Sequence, residues 1–272
     1  MSEHVLDKYF RSYAKQTLCP GCGNGIVYNA AVHAMEACGL DQNKVVVISG
    51  VGCSSRSSIF IDSCGLHVNH GRPLGFAIGV KMANPELRVF VITGDGDTSA
   101  IGGNHFIHAC RRNIDITLIV CDNDNYGMTG GQFSPTTPTG AITKTTSFGN
   151  IDQPFDLCKL AIGAGATYVA RSTTYHILDL QKRIREGIEH KGFSVIDAMS
   201  DCPSLFGRLN KLGSAPQMMQ RRKDQCVTIA QAERMSPEAL RGKLVIGKFF
   251  EDNSKPEYTE SYAALLKQVK EV

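Results

Sequence analysis

The sequence lacks the features by which three large classes of protein are recognised. No segment has about eighteen consecutive apolar residues, so nothing predicts a membrane-spanning helix. The N-terminal segment MSEHVLDKYFRSYAKQ is charged and has no apolar core, so we expect no secretory signal. The net charge is only +3, which is too small to indicate a nucleic-acid partner. We therefore expect a cytoplasmic protein.

The composition is that of a folded chain with one large core. Hydrophobic residues make up 42% of the 272 positions and charged residues 20%, so extended disorder is not expected. Ten cysteines are present, but a reducing compartment disfavours a disulfide framework. We expect most of these cysteines to be buried as small hydrophobic residues and a subset to bind metal.

Short runs of β-branched and other apolar residues alternate with helical patterns along most of the chain. The runs predicted as buried strands are 44–50, 88–94, 115–121, 193–198 and the weaker 166–170. The patterns predicted as helices are 25–38, 73–84, 99–112, 154–163 and 174–190. This alternation predicts an α/β fold with a mostly parallel sheet and helices on both faces.

Two segments interrupt the alternation. Segment 127–150 contains seven threonines and five glycines without clear periodicity, which is typical of a binding loop. The chain after position 202 is irregular, so we divide it into an α/β domain, 1–202, and a C-terminal extension, 203–272, which packs on the domain or on a partner subunit. We expect the basic run 221–223 in this extension to be a solvated surface.

Acidic and amide side chains follow two neighbouring predicted strands. Asp95 and Asp97 come directly after one strand, and Asn123 and Asn125 come directly after the next. In a right-handed βαβ unit both strands end at the same edge of the sheet, where open α/β sheets bind ligands. Asp95, Asn123 and a backbone carbonyl near Asn125 offer the hard oxygen ligands that Mg²⁺ prefers.

Glycines beside these side chains indicate an anionic ligand. Gly94 and Gly96 flank Asp95 and let the backbone approach a phosphate closely. The N–H groups that begin the following helix also point toward an anion. We therefore interpret this edge as a site for a diphosphate bridged by Mg²⁺. Either motif alone would fit an ordinary tight turn or loop, and only the pair on neighbouring strand ends indicates a site.

The stretch LCPGCGNG, positions 18–25, contains Cys19 and Cys22 in a C-x-x-C arrangement. Such a pair can bind zinc, cycle as a disulfide or ligate an iron–sulfur cluster. Nothing within these eight residues decides among the three.

Five motifs follow one another between Cys19 and Pro203: CPGCG, GVGCSSR, HGRP, GDGD and NYGMTGGQFSPTTP. In this order they resemble the β subunits of 2-oxoacid:ferredoxin oxidoreductases, a family that binds thiamine diphosphate. The Gly-Gly pair after Met-Thr, together with the sequence CSSR, is most similar to the 2-oxoglutarate branch, 2-oxoglutarate synthase. The resemblance implies the thiamine diphosphate-binding fold.

The resemblance assigns roles to individual residues. It implies that one [4Fe–4S] cluster is held by Cys19, Cys22, Cys53 and Cys202. It implies that Mg²⁺ is held by Asp95, Asn123 and Asn125, and that the cofactor also meets Gly94, Gly96, Asp97, Gly127, Met128, Thr129, Cys53 and Ser54. His70 would lie near the reactive carbon of the thiazolium, and Arg56 would neutralise the diphosphate or a substrate carboxylate. The sequence SPTTP would close over the pocket as a lid.

The resemblance also implies a reaction and a partner. The reaction is the coenzyme A-dependent oxidative decarboxylation of a 2-oxoacid, 2-oxoglutarate to succinyl-CoA and CO₂, with electrons passing through the cluster to ferredoxin. Thiamine enzymes need a glutamate from a second domain, so we expect an α subunit in an αβ or (αβ)₂ assembly. The alternative substrates are pyruvate and branched-chain 2-oxoacids. The alternative functions are a non-oxidative decarboxylase or synthase subunit and a zinc-stabilised nucleotide-binding module without catalysis.

Overall fold

The computed structural model describes residues 4–270, in which a β-sheet lies between two layers of helices. The strands are β1 Val45–Ser49, β2 Cys64–His67, β3 Arg88–Gly94, β4 Ile116–Asp122, β5 Asn125–Tyr126, β6 Gln132–Phe133, β7 Tyr168–Thr173, β8 Phe193–Met199, β9 Cys226–Thr228 and β10 Leu244–Glu251. The helices are α1 Val5–Tyr9, α2 Asn24–Ala37, α3 Ser57–Phe60, α4 Pro73–Ala83, α5 Asp95–Ser99, α6 Gly103–Arg112, α7 Leu157–Ala164, α8 Ile177–Glu189, α9 Ala215–Gln225, α10 Ile229–Ala232, α11 Pro237–Leu240 and α12 Tyr258–Lys270. Residues 1–3, where the segment predicted to carry no secretory signal begins, and residues 271–272 lie outside the described residues.

The main sheet has the strand order β2-β1-β3-β4-β8-β7-β10-β9. All neighbours from β2 to β7 are parallel, whereas β10 runs antiparallel to β7. Two buried apolar clusters cover the two faces: α2 and α8 contribute to one, and α4, α6 and α7 contribute to the other. The predicted α/β fold with a mostly parallel sheet is therefore confirmed.

The five strands predicted from apolar runs are confirmed as β1, β3, β4, β7 and β8. These strands were predictable because almost every residue in them is buried. The sequence analysis missed β2, which lies at the sheet edge and has exposed residues at three of its four positions. It also missed β9 and β10, which are only partly buried and lack the continuous apolar run of a central strand.

The helix predicted over 99–112 begins later, at Gly103, as α6, and a separate short helix, α5, precedes it because the chain turns between them. The chain leaves the helical conformation at Ala100, where φ is −88° and ψ is −99°. A Cβ atom on Gly102 would lie only 2.3 Å from the carbonyl oxygen of Asp97, so glycine permits this close turn. The consequence is that α5 is a short helix beginning at Asp95, directly at the end of β3.

The segment after residue 202 contacts the sheet at several points. Strand β10 pairs with β7, and Phe249 and Tyr258 pack against one of the two core clusters. The Glu257 carboxylate accepts a hydrogen bond from the backbone N–H of Asp115 at 3.0 Å. The domain boundary between 202 and 203 stays a prediction. Within residues 4–270, no helix has both the length and the apolar character needed to cross a bilayer.

Candidate functional site

Two adjoining cavities open where β1, β3 and β4 end, at the edge predicted to bind a ligand. The first, the Asp95 cavity, is lined by the predicted site residues Cys53, Ser54, His70, Gly94, Asp95, Gly96, Asp97, Asn123, Asn125, Gly127, Met128 and Thr129. The second, the cysteine cavity, is lined by Cys19, Cys22, Cys53, Arg56, Asn123, Gly127, Met128 and Cys202. The fold thus brings every residue named as a site candidate to one edge of the sheet.

Asp95 is buried at the start of α5, and its carboxylate is held by hydroxyl groups. Its Oδ2 atom accepts hydrogen bonds from Ser134 Oγ at 2.5 Å and from Thr136 Oγ1 at 2.8 Å. Burial raises the pKa of Asp95 to about 7, although both hydroxyl groups favour the charged form. A carboxylate desolvated in this way is well suited to a bound cation, which would compensate its charge.

Asn123 and Asn125 present oxygen atoms that the rest of the protein leaves unpaired. Their Oδ1 atoms are both buried, and neither has a hydrogen-bond partner in the described part of the chain. Buried polar groups are normally paired, so two orphaned acceptors that line the same cavity call for an outside partner. Together with Asp95 they form an oxygen donor set of the kind that Mg²⁺ prefers. The sequence analysis expected the backbone carbonyl of Asn125, whereas the orphaned atom is its side-chain oxygen.

Two glycines near Asp95 differ in how closely they approach their neighbours. A Cβ atom on Gly96 would lie 2.3 Å from the ring of Tyr126, so this position has no space for a side chain. A Cβ atom on Gly127 would lie 3.5 Å from Cys53 Sγ and 3.7 Å from Cys202 Sγ, in ordinary contact, in the wall that the two cavities share.

Asp97 and His70 form a pair at the rim of the Asp95 cavity. The Asp97 carboxylate accepts hydrogen bonds from Thr93 Oγ1 at 2.5 Å and from the N–H of Gly71. It also lies 3.0 Å from His70 Nδ1, which is 3.1 Å from the carbonyl oxygen of Val51. Protein groups therefore engage Asp97 on both oxygens, which fits a role in holding this corner together. The other ring nitrogen of His70, Nε2, is left without a hydrogen bond among residues 4–270.

Four thiols from distant parts of the chain line the cysteine cavity. Cys19 and Cys22 lie on either side of a turn before α2, Cys53 follows β1, and Cys202 follows β8. Burial, together with the charges of the other three thiols, raises the pKa of Cys22 to about 12. Within residues 4–270, no three histidine, cysteine or acidic side chains already surround one metal position. The cavity nevertheless offers an all-sulfur donor set beside the positive charge of Arg56, which suits an anionic sulfur-ligated group.

A network of charges that was not predicted from the sequence lines a third cavity, which contains Asp124, Asp201 and Arg222. Arg222 donates hydrogen bonds at 3.1 Å to Asp124 through Nη2 and to Asp201 through Nε. Burial raises the pKa of Asp124, although the neighbouring Arg222 favours its charged form. The prediction that the run 221–223 is a solvated surface is therefore wrong for Arg222. The sequence did contain a signal for this pairing. Asp124 and Asp201 both come just after strands, and two carboxylates buried there require a counter-charge.

The SPTTP sequence is not a lid. Ser134, Thr136 and Thr137 are each no more than 5% exposed, and none of them lines either cavity. Thr136 Oγ1 lies 2.9 Å from Asp122 Oδ1 as well as 2.8 Å from Asp95 Oδ2. The segment therefore packs behind Asp95 and does not cover the cavity. Its three closely spaced hydroxyl residues were the signal in the sequence that could have indicated hydrogen bonding to a buried carboxylate.

Comparison with known proteins identifies the family. Residues 50–198 match the family described as thiamine pyrophosphate enzyme, C-terminal TPP binding domain. A 2-oxoglutarate synthase subunit KorB from Methanocaldococcus jannaschii is 47% identical over 268 residues, which cover 98% of this chain and 99% of that protein. The chain belongs to the β-subunit family of 2-oxoacid:ferredoxin oxidoreductases. The predicted family is confirmed.

Two further relatives support this membership. The KorB subunit of Archaeoglobus fulgidus is 53% identical over 197 residues, which cover 72% of this chain and 73% of that protein. The solved structure of 2-oxoglutarate:ferredoxin oxidoreductase from Magnetococcus marinus, with 2-oxoglutarate, coenzyme A and succinyl-CoA bound, has a TM-score of 0.87 and 33% identity. The matched region covers 99% of this chain and 92% of the chain from Magnetococcus marinus.

The family match divides the site residues into two groups. The matched range 50–198 contains Asp95, Asn123 and the other residues of the Asp95 cavity, so this cavity belongs to the thiamine diphosphate-binding domain. Cys19, Cys22 and Cys202 lie outside that range, although they share a cavity with Cys53. Three of the four cysteines that line the cysteine cavity therefore come from outside the matched domain, and only Cys53 comes from within it.

Proposed function

We propose that this chain is the β subunit of a 2-oxoglutarate:ferredoxin oxidoreductase, which converts 2-oxoglutarate and coenzyme A to succinyl-CoA and CO₂ and passes the electrons to ferredoxin. The observation that carries the proposal is the shared wall of the two cavities, formed by Cys53, Asn123, Gly127 and Met128. It joins a magnesium-type oxygen donor set directly to a four-thiol donor set. A decarboxylase without electron transfer would have no use for the second set, and a zinc module would have none for the first.

The Asp95 cavity is the proposed site of thiamine diphosphate and Mg²⁺. Asp95, Asn123 and Asn125 would hold the metal, because they supply a desolvated carboxylate and two unpaired amide oxygens. Gly94 and Gly96 would admit the diphosphate close to the backbone. Ser54, Thr129 and the other cavity residues would contact the remainder of the cofactor. When bound, the thiazolium ring supplies an electron sink for decarboxylation.

The cysteine cavity is the proposed site of a [4Fe–4S] cluster held by Cys19, Cys22, Cys53 and Cys202. The donor chemistry supports this assignment, since four thiols and no histidine or carboxylate side chain line this cavity. The absence of a side chain at Gly127 leaves space beside Cys53 and Cys202. When bound, such a cluster would supply single-electron transfer toward ferredoxin.

His70 and Arg56 are the proposed catalytic residues. Because Nδ1 of His70 lies beside Asp97 and the Val51 carbonyl oxygen, Nε2 is the nitrogen available to hold or deliver a proton in the cavity. Arg56 lines the cysteine cavity and has a permanent positive charge that suits the carboxylate of a 2-oxoacid or the diphosphate.

The proposal includes a partner subunit. Val51 and Met128 line the Asp95 cavity and are each more than 40% exposed, and Ile101, which lies beside Gly71, is 50% exposed. Apolar side chains around a cavity mouth are typical of a surface that a partner covers. An α subunit, in an αβ or (αβ)₂ assembly, would supply the missing glutamate and part of the coenzyme A site. We further propose a cytoplasmic location and the division into residues 1–202 and 203–272.

The test is an assay of the chain purified anaerobically together with its α subunit. Reduction of a viologen dye is measured with coenzyme A and with 2-oxoglutarate, pyruvate or a branched-chain 2-oxoacid. The proposal expects 2-oxoglutarate to give the highest kcat/KM. A higher value with pyruvate or a branched-chain acid would assign a different substrate within the family. A colourless, zinc-containing and inactive complex would reject the proposed function.

A further inference from the structure

The segment 134–137 holds the Asp95 carboxylate from the side opposite the cavity. Ser134 Oγ and Thr136 Oγ1 both donate to the same oxygen, Oδ2, at 2.5 and 2.8 Å. No side chain within residues 4–270 donates to Oδ1. Two donors on one oxygen fix the rotation of the carboxylate about its last bond and leave the second oxygen for another partner.

The two hydroxyl groups are themselves held in place by a buried framework. Thr136 Oγ1 lies 2.9 Å from Asp122 Oδ1, and Ser134 Oγ lies 3.3 Å from Thr137 Oγ1. Thr137 Oγ1 in turn donates to the carbonyl oxygen of Asp124 at 2.6 Å. Asp122 and Asp124 flank Asn123, so the same loop that carries an orphaned amide oxygen also anchors the hydroxyl groups.

We propose that Ser134 and Thr136 are positioning residues for the metal ion, acting through Asp95. By occupying Oδ2 they leave Oδ1 free for a metal in the cavity that Asn123 and Asn125 also line, so that the carboxylate is oriented before metal arrives. This inference rests on the proposed magnesium–diphosphate site. The partners of metal ligands commonly change metal affinity by about 10- to 100-fold when they are removed.

The test uses the complex of this chain with its α subunit, stripped of metal and thiamine diphosphate by chelation and dialysis. Mn²⁺ replaces Mg²⁺, because carboxylate and amide oxygens accept both and free Mn²⁺ gives a strong paramagnetic resonance signal. Binding of Mn²⁺ in the presence of thiamine diphosphate, and of thiamine diphosphate in the presence of excess Mg²⁺, is measured for each variant.

The informative variants are Ser134→Ala, Thr136→Val and Thr136→Ser. We expect Ser134→Ala and Thr136→Val to weaken Mn²⁺ binding by about 10- to 100-fold. Thr136→Ser keeps the hydroxyl group and should stay within about threefold of the wild type, well below that range. The matched control is Thr117→Val on β4, which removes a buried hydroxyl group whose bond, to the Gly187 carbonyl oxygen at 3.4 Å, is remote from Asp95. The control should leave Mn²⁺ affinity unchanged.

The outcomes separate this inference from the proposed function. Equal Mn²⁺ affinity of the wild type and Ser134→Ala would overturn the positioning role, as would equal losses in Thr117→Val and Thr136→Val. Should Thr136→Val fail to fold, Ser134→Ala and Thr136→Ser decide the question, because they remove only one oxygen and one methyl group respectively. A wild-type complex that binds thiamine diphosphate without any divalent cation would instead reject the magnesium site itself.

Discussion

Buried asparagines at the two ends of the parallel sheet differ in how completely they are hydrogen-bonded. At the amino ends of the strands, Oδ1 of Asn113 accepts hydrogen bonds from Thr167 Oγ1 at 2.6 Å and from the N–H of Phe193 at 2.9 Å. Its Nδ2 atom lies 3.2 and 3.1 Å from the carbonyl oxygens of Lys255 and Pro256. At the carboxyl ends, Oδ1 of Asn123 and Oδ1 of Asn125 have no partner in the region that the structure describes.

This difference separates groups that are paired within the fold from groups that are unpaired and free to bind a ligand. Asn113 uses its amide to join β7, β8 and the C-terminal segment, so its polar atoms contribute to folding. An unpaired buried acceptor costs about 1–3 kcal/mol. The chain carries this cost at Asn123 and Asn125, where a bound cation would remove it.

The largest expected effect is on stability, at the amino end. Asn113→Ala removes an amide that makes four hydrogen bonds and leaves Thr167, Phe193 and two carbonyl groups without it. We expect the free energy of unfolding to fall by about 4 kcal/mol. Chemical denaturation of the isolated chain measures this fall in the free energy of unfolding. A loss below about 1 kcal/mol, the contribution of one ordinary hydrogen bond, would show that the Asn113 amide does not stabilise the fold in this way.

The next largest effect is on ligand binding, at the carboxyl end. Asp95→Asn keeps the shape of the side chain and removes its charge. We expect thiamine diphosphate affinity, measured by calorimetry on the complex with its α subunit, to fall by more than about 100-fold, beyond the range for outer partners of a metal ligand. Iron content should not change, because the four cysteines line the cysteine cavity and Asp95 does not. Loss of both iron and cofactor would mean that Asp95 is a folding residue.

A smaller effect should depend on pH, again at the amino end. Burial would raise the pKa of Glu257, but hydrogen bonds from Thr259, Glu260 and Asp115 outweigh it and hold the pKa below the usual 4.5. A pKa lowered by folding stabilises the protein above the unfolded pKa, and this stability is lost as pH falls through the folded pKa. Glu257→Gln should therefore cost about 2 kcal/mol at pH 7 and progressively less below about pH 4.5.

Denaturation of wild type and Glu257→Gln between pH 3 and pH 8 checks this prediction, with Glu233→Gln as the control. Glu233 is exposed, and its side chain makes no ion pair or hydrogen bond within residues 4–270, so its replacement should leave unfolding nearly unchanged over the whole range. A difference for Glu257→Gln that stays constant down to pH 3 would show that the charge of Glu257 is not what stabilises the C-terminal segment.

The smallest expected effect on stability is at the carboxyl end of the sheet. Asn123→Ala removes an orphaned oxygen, so the unfolding free energy of the metal-free chain should stay within about 1 kcal/mol of the wild type or rise. Magnesium-dependent binding of thiamine diphosphate by the complex should nevertheless fall. Asn113→Ala, the same substitution at the other end, should give the reverse pattern. Similar stability losses in both variants would remove the distinction between the two ends.

The sequence revealed the parts of the molecule that local chemistry determines. Buried parallel strands such as β3 and β4 are continuous apolar runs, and the rule for βαβ handedness brought Asp95 and Asn123 together without coordinates. The sequence did not reveal that Ser134 and Thr136 donate hydrogen bonds to Asp95 or that Arg222 pairs with the buried Asp124. Those contacts join positions 39 to 98 residues apart, and a hydroxyl-rich loop or a basic run looks the same whether it faces solvent or a buried carboxylate.

The most direct test of the account is the visible spectrum of the anaerobic complex when substrate is added. With thiamine diphosphate, Mg²⁺ and coenzyme A present, 2-oxoglutarate should bleach an absorbance band near about 400 nm, the region typical of iron–sulfur proteins. In Asp95→Asn the band should be present and should bleach with dithionite but not with 2-oxoglutarate. A wild-type complex without the band, or an Asp95→Asn complex that 2-oxoglutarate bleaches as fast as wild type, would contradict the account.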